Sequence, residues 1–221
     1  PLLAYSIAAA KLSKKIARVI VSTDSAEFAE IARYYGAEAP FLRPSKISGD
    51  KSTDAEFIMH ARKWFEEKEG RVPEYFVHLR PTTPLRDPKI IDSAINVIIT
   101  SPRATSLRSG HPAPESPFKW FLRDKRGYFK SIVQNMTVND CNRPRQDFAE
   151  VYIPNGYVDV LKTSFVSSSG RLYNDKMLGF VTPLCGEVDT LEDLHFLEYE
   201  IAKNGHILLD YLKKNYNKGA K

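Results

Sequence analysis

Short β-branched runs alternate along this chain with stretches whose apolar residues recur at helical spacing, and that rhythm most narrows what it can fold into. Ala17–Ser22 reads as a strand ending at Thr23-Asp24, Ser25–Tyr35 as a helix closed by Gly36, and Ala37–Leu42 as a short strand. Thr53 opens a second helix with Glu56 at capping-box spacing, and Phe57, Ala61, Trp64 and Phe65 form its inward face. Tyr75–Leu79 reads as a strand turned by Pro81-Thr-Thr-Pro84. Asp87-Pro88 then caps a helix to about Thr100, with Ile91, Ala94, Ile95 and Ile98 on its buried stripe. After Val151 the rhythm resumes: strands at Val151–Ile153, Tyr157–Leu161 and Gly179–Leu184, and helices near Thr163–Ser168, from Asp189 to about Lys203, and over His206–Asn215. Strand–helix–strand units with short connections predict an α/β fold, a mostly parallel sheet covered on both faces.

Residues 104–150 break the rhythm. They carry His111-Pro-Ala-Pro114, a hairpin-like pair Trp120–Asp124 and Tyr128–Ile132 around Lys125-Arg-Gly127, and a polar loop through Asn142-Arg-Pro-Arg145, which together predict a small antiparallel ribbon. The expected organisation is one domain over 1–221, its core formed by 1–103 and 151–221 and interrupted by the 104–150 insertion. With 221 residues, 43% of them apolar, the chain can bury such a core. No apolar stretch approaches the roughly 20 residues that a bilayer requires. Cys141 and Cys185 form no CxxC pair, which points away from structural zinc and toward a reducing, cytoplasmic setting. The net charge is +5, but the basic residues are scattered apart from Lys213–Lys221, a solvated tail. That distribution argues against nucleic acid and suits a small anionic substrate.

Ligands of open α/β sheets bind beyond the carboxyl ends of the strands, so candidate site residues are those that follow strands, as Asp24, Arg80–Arg86 and Asp189 do. GxGxxG, GxxxxGK[ST], HExxH and GxSxG are all absent, which removes the usual warrants for dinucleotide chemistry, Walker-type hydrolysis and α/β-hydrolase catalysis. What remains is an ordered set of blocks: Val21-Ser-Thr-Asp24, Phe41-Leu-Arg-Pro44, Leu79-Arg-Pro-Thr-Thr-Pro-Leu-Arg86, Arg143-Pro-Arg-Gln-Asp147, Pro154-Asn-Gly156 and Val188-Asp-Thr190. From Pro1 to about Glu200 this set resembles the CMP-sialic acid synthetases, or acylneuraminate cytidylyltransferases. The resemblance implies a Rossmann-like, three-layer α/β/α nucleotidyltransferase fold and a homodimer formed through residues near 110–150. It also implies an enzyme that transfers CMP from CTP to the anomeric hydroxyl of a nonulosonic acid of the sialic, legionaminic or pseudaminic type, with Mg²⁺. The alternatives are a non-catalytic nucleotide-sugar-binding relative or fragment, and a CMP-KDO synthetase. The KDO-type enzymes carry a Gly-Asp-Glu-Pro segment whose Asp has no counterpart in Pro81-Thr-Thr-Pro84.

Transfer to an attacking hydroxyl is largely positioning and charge neutralisation, so cations and metal-holding carboxylates are the residues to seek. By the resemblance Asp189 is catalytic and the first Mg²⁺ ligand, with Glu187 as second where the family places another Asp; the competing role for Asp189 is a plain helix cap. Arg43, Ser52 and Asp54 would approach the nucleotide. Arg80 replaces the family's usual Gln in the sugar-contacting loop and exchanges a neutral amide for a fixed five-donor cation, so a differently decorated sugar acid is expected. Lys119 and the catalytic Arg145 would meet the sugar carboxylate from the partner subunit, Arg145 in a bidentate pair. Ile153 stands where relatives often carry another Arg. The five histidines, His60, His78, His111, His195 and His206, show no metal-like spacing and read as structural or exposed. The family opens with a strand and an Arg-Gly-Gly-Ser-Lys-like loop that holds the triphosphate. Pro1–Leu12 instead reads as a helix, so we expect an N-terminus beyond the residues shown and little turnover without it.

Overall fold

Six strands and seven α-helices, joined by short 3₁₀ turns, make up the described residues, 1–216, of the computed structural model. Helix α1 (Leu2–Leu12) buries Ala4, Ile7, Ala8, Ala9 and Ala10, small residues that let neighbours approach closely. Ser25 caps α2 (Ala26–Tyr34) by accepting from the Phe28 amide. Helix α3 spans Asp54–Trp64, and the Glu56 carboxylate accepts from the Thr53 amide at 2.6 Å and from the Thr53 hydroxyl at 3.1 Å. Asp87 and Pro88 start α4 (Pro88–Ile99), whose apolar stripe is buried as the periodicity predicts. Helices α5 (Thr163–Ser169), α6 (Leu191–Asn204) and α7 (Ile207–Tyr216) complete the set. Of the Lys213–Lys221 tail, Lys213–Tyr216 is the last turn of α7, and the rest lies outside the described residues.

The main sheet has the order β1-β5-β2-β6, with β1 at Tyr75–His78, β2 at Ser106–Pro112, β5 at Tyr152–Lys162 and β6 at Met177–Val181. β1, β2 and β6 run in one direction and β5 alone runs against them. The segments read as strands at 17–22 and 37–42 also lie parallel, but they touch only at the Ile20–Glu38 and Thr23–Leu42 bridges. Pro40 sits between those bridges with no N–H to donate, which interrupts the ladder. Two further corrections concern β5 and β2. The two strands read at Val151–Ile153 and Tyr157–Leu161 are one strand with a bulge: Arg108 faces Asp159 and Gly110 faces Pro154, so Ser109 alone opposes the four residues 155–158. β2 belongs to the core sheet, so the insertion begins after Pro112 rather than at 104. Beyond it β3 (Phe121–Arg123) and β4 (Phe129–Ser131) form the expected antiparallel hairpin.

Helices cover both sheet faces. Leu107, Val158 and Val160 pack with Ala8 and Ala9 of α1, Ile91, Ala94, Ile95 and Ile98 of α4, and Leu208 of α7. On the other face Leu161 and Phe76 pack with Ile58 of α3 and Val166 of α5. Period-two alternation therefore turns Asp159, between Val158 and Val160, away from the larger core and toward the second face.

Candidate functional site

The carboxyl ends of β1, β2 and β6 share one edge of the sheet, and the loops that leave them bring together several residues distant in sequence. The loop after β1 is anchored by Arg86, which is fully buried. Its guanidinium donates to the carbonyls of Tyr157, Gly156 and Arg80, each at 2.6 Å, and to the Ser6 hydroxyl at 2.9 Å. Burial without a paired carboxylate pushes its pKa down to about 10. A Cβ on Gly156 would run into Thr83 Oγ1, so glycine is what lets this loop lie on the β5 bulge.

Arg80, expected at the sugar, is committed within the chain. It donates to Asp159 Oδ2 at 2.8 Å and to Asp54 Oδ2 at 2.7 Å, tying the start of α3 to the sheet. Burial works against its charge, yet Asp159 and Asp54 together hold its proton more firmly than usual. The Tyr173 hydroxyl donates to the same Asp159 oxygen at 2.8 Å, and burial followed by that carboxylate pushes the phenol up to about 12. His78, across the register from Asp159, is pushed down to about 4 by burial and then by Arg80. Arg43 lies 3.7 Å from Asp24 and over the Phe57 ring, and Ser52 Oγ accepts from the Gly49 amide. Arg43, Asp54 and Arg80 thus surround the start of α3, and Ser52 closes the loop before it.

The same β1 loop reaches the second half of the predicted site. Thr82 accepts from the Val188 amide at 2.7 Å through its carbonyl, and its hydroxyl donates to Glu187 at 3.4 Å. Residues 182–188 therefore form a strap from β6 to the β1 loop, and Glu187 and Asp189 lie exposed at its end. Asp189 is not the cap of α6. Thr190 fills that position, accepting from the Asp193 amide while the Asp193 carboxylate accepts from the amides of Asp189 and Thr190. Among the described residues no group of three or more His, Cys, Asp or Glu side chains converges. Two carboxylates are nevertheless what a protein commonly supplies to Mg²⁺, with phosphates and water completing the shell, so the donor set fits that ion.

Lys119 and Arg145 sit apart in the insertion. Lys119 donates to the Arg143 carbonyl at 2.9 Å, and the exposed Arg145 donates to the carbonyls of Ala113 and Pro114, each at 2.9 Å. Of the residues that organise this edge, Asp159 carries no role in the sequence reading, while Arg86 and Asn155 enter it only within their motif blocks and His78 only as a structural or exposed histidine. An Asp flanked by Val158 and Val160 within an apolar run was the one signal available for Asp159.

A family model described as cytidylyltransferase matches residues 1–165. The chain belongs to the cytidylyltransferase family. It is 41% identical over 100 residues to the N-acylneuraminate cytidylyltransferase of Escherichia coli O18:K1:H7, a match covering 45% of this chain and 22% of the relative. It is 35% identical over 100 residues to the CMP-N,N'-diacetyllegionaminic acid synthase of Legionella pneumophila, covering 44% of this chain and 41% of the relative. The matches thus span less than half the length of these curated relatives. Among solved structures, a CMP:2-keto-3-deoxy-manno-octonic acid synthetase complexed with CTP superposes with a TM-score of 0.63 over 92% of this chain and 88% of that one, at 14% identity. That likeness establishes the Rossmann-like three-layer fold of the cytidylyltransferases.

Proposed function

We propose that this protein transfers CMP from CTP to the anomeric hydroxyl of a nonulosonic acid, releasing pyrophosphate. One observation carries the reading: the β1 loop is bonded at Arg80 to Asp54, beside Arg43, and at Thr82 to the strap that bears Glu187 and Asp189. Cations for a nucleotide and carboxylates for a divalent ion are thereby held to one another through a single loop at the carboxyl edge. The two curated relatives are named for sialic-type and legionaminic-type acids, which supports an acceptor of that class over KDO. Among the described residues no helix is long and apolar enough to cross a membrane, and Cys141 and Cys185 are both free thiols, in keeping with a cytoplasmic enzyme.

Within the reaction, Arg43, Ser52 and Asp54 orient the nucleoside at the start of α3. Asp189 and Glu187 would hold Mg²⁺, which when bound would supply charge neutralisation on the phosphates. Arg80 keeps Asp54 and the β1 loop in register, so its effect on the sugar runs through that loop. Lys119 and Arg145 present their remaining donors to the carboxylate of a sugar acid bound by the neighbouring protomer. The exposed Trp120, Leu122, Tyr128 and Phe129 of the hairpin supply the apolar surface for such a homodimer.

The test is pyrophosphate release from CTP by the natural polypeptide in full, with a panel of nonulosonic acids and KDO. We expect release with a nonulosonic acid and a loss of roughly 100-fold or more in Asp189→Asn, because one ligand of the metal is gone, with the thermal midpoint unchanged. No release with any acceptor would overturn the reading. Full activity in Asp189→Asn would remove that residue from the metal site.

A further inference from the structure

Asn155 lies buried in the β5 bulge. Its Oδ1 accepts from the Tyr157 amide at 3.2 Å and from the Ser109 hydroxyl at 2.7 Å, while Ser109 Oγ itself accepts from the Val158 amide at 2.9 Å. A main-chain N–H can only donate, so the side of the Asn155 amide facing Tyr157 must be its oxygen. The opposite side is then the NH₂ group. It faces Thr182 Oγ1 at 2.9 Å and His111 Nδ1 at 3.2 Å. A ring nitrogen facing an N–H donor is an acceptor, and the imidazole proton is left on Nε2.

The position of His111 gives that proton a use. It is half-buried at the carboxyl end of β2, two residues before the Ala113 carbonyl that holds Arg145. Through Asn155 it is joined to Thr182, where the strap toward Glu187 and Asp189 begins. The imidazole is thus linked along β2 to the carbonyl that holds Arg145, and through Asn155 to the segment that leads to Glu187 and Asp189. We propose that Asn155 locks His111 in the Nε2–H tautomer and that this N–H is a fixed donor to an anionic oxygen of the acceptor sugar acid. The donor role rests on the cytidylyl-transfer reading; the tautomer does not.

The tautomer is read from long-range ¹H–¹⁵N correlations of ¹⁵N-histidine-labelled protein, with His111 assigned by difference against His111→Gln. We expect Nε2 protonated and Nδ1 bare in the wild type, and Nδ1 protonated in Asn155→Asp, whose second oxygen now faces the ring. Nδ1 protonated in the wild type would overturn the lock, and this measurement needs no turnover. For the donor role, His111→Phe should raise the sugar-acid KM by roughly 10–100-fold, the weight of one hydrogen bond to a charged group, and leave the CTP KM in place. His111→Gln, which returns an amide donor near Nε2, should recover at least tenfold of that loss. An unchanged sugar-acid KM in His111→Phe would reject the role. Where turnover is absent, titration with N-acetylneuraminic acid, then its legionaminic and pseudaminic counterparts, decides it: a moving Nε2 resonance supports the contact, and one that stays put with every acid rejects it.

Discussion

The β1 loop and the insertion both present cations, and they hold them by opposite means. Arg80 is half-buried beside the core and Arg86 lies within it. One is balanced by two carboxylates, and the other is wrapped by four oxygens drawn from α1, the loop itself and β5. Lys119, Arg143 and Arg145 lean on the backbone and acids of the insertion itself, and Arg143 and Arg145 are exposed. Buried charges with several fixed partners are organised before any ligand arrives. Surface cations held by one or two carbonyls keep donors facing solvent, and under the proposed homodimer the large exposed aromatics beside them would meet the neighbouring subunit. The cations of the β1 loop are partnered by carboxylates and carbonyls of distant elements, and those of the insertion by their own neighbourhood alone.

The largest effect expected from this contrast is in Arg86→Met. Four buried oxygens would lose their donor together, so we expect a loss of about 3–5 kcal/mol in a urea titration or no soluble fold at all. A cost below about 1 kcal/mol would break the comparison. His78 sharpens the core side through pH. Its folded pKa lies near 4, below its unfolded value, so its contribution to stability is full above roughly pH 6.5 and declines as pH falls toward 4. The decline should reach at most about 1.4 kcal/mol per pH unit. Urea midpoints between pH 7 and pH 4.5 should therefore fall more steeply for the wild type than for His78→Phe; equal slopes would remove His78 from the account. The smallest change in folding belongs to the insertion. Trp120→Ser combined with Leu122→Glu should shift stability by under about 1 kcal/mol, since both side chains are exposed, while halving the mass seen in sedimentation. A dimer that survives both substitutions would place the subunit contact elsewhere.

The sequence was most legible where periodicity and punctuation agree. The α4 stripe behind Asp87-Pro88, the Thr53–Glu56 capping box and the hairpin at Gly127 all follow from local chemistry. The β5 bulge was not legible, because Pro154-Asn-Gly156 reads locally as a break between two strands, whereas tertiary bonds to Ser109 and Arg86 carry the strand through it. Arg80 shows the same limit. Its place in the loop was evident, but its charge is balanced by Asp54, 26 residues earlier, and Asp159, 79 residues later, and no local pattern announces such partners. The plain helix-cap role weighed for Asp189 falls to Thr190, one residue later, because the Thr190–Asp193 capping box closes the helix there.

Arg86 also sets what can move. Its guanidinium leaves water only when α1, the β1 loop and the bulged strand have all arrived, so a loop lifted halfway off the sheet would strand an ion in an apolar hollow. That side of the cleft therefore behaves as a fixed jaw. The strap at residues 182–188 is moored to it at both ends, at Thr182 by Gly110 and Asn155 and at Glu187 and Val188 by Thr82, so the carboxylates it carries share the footing of that jaw.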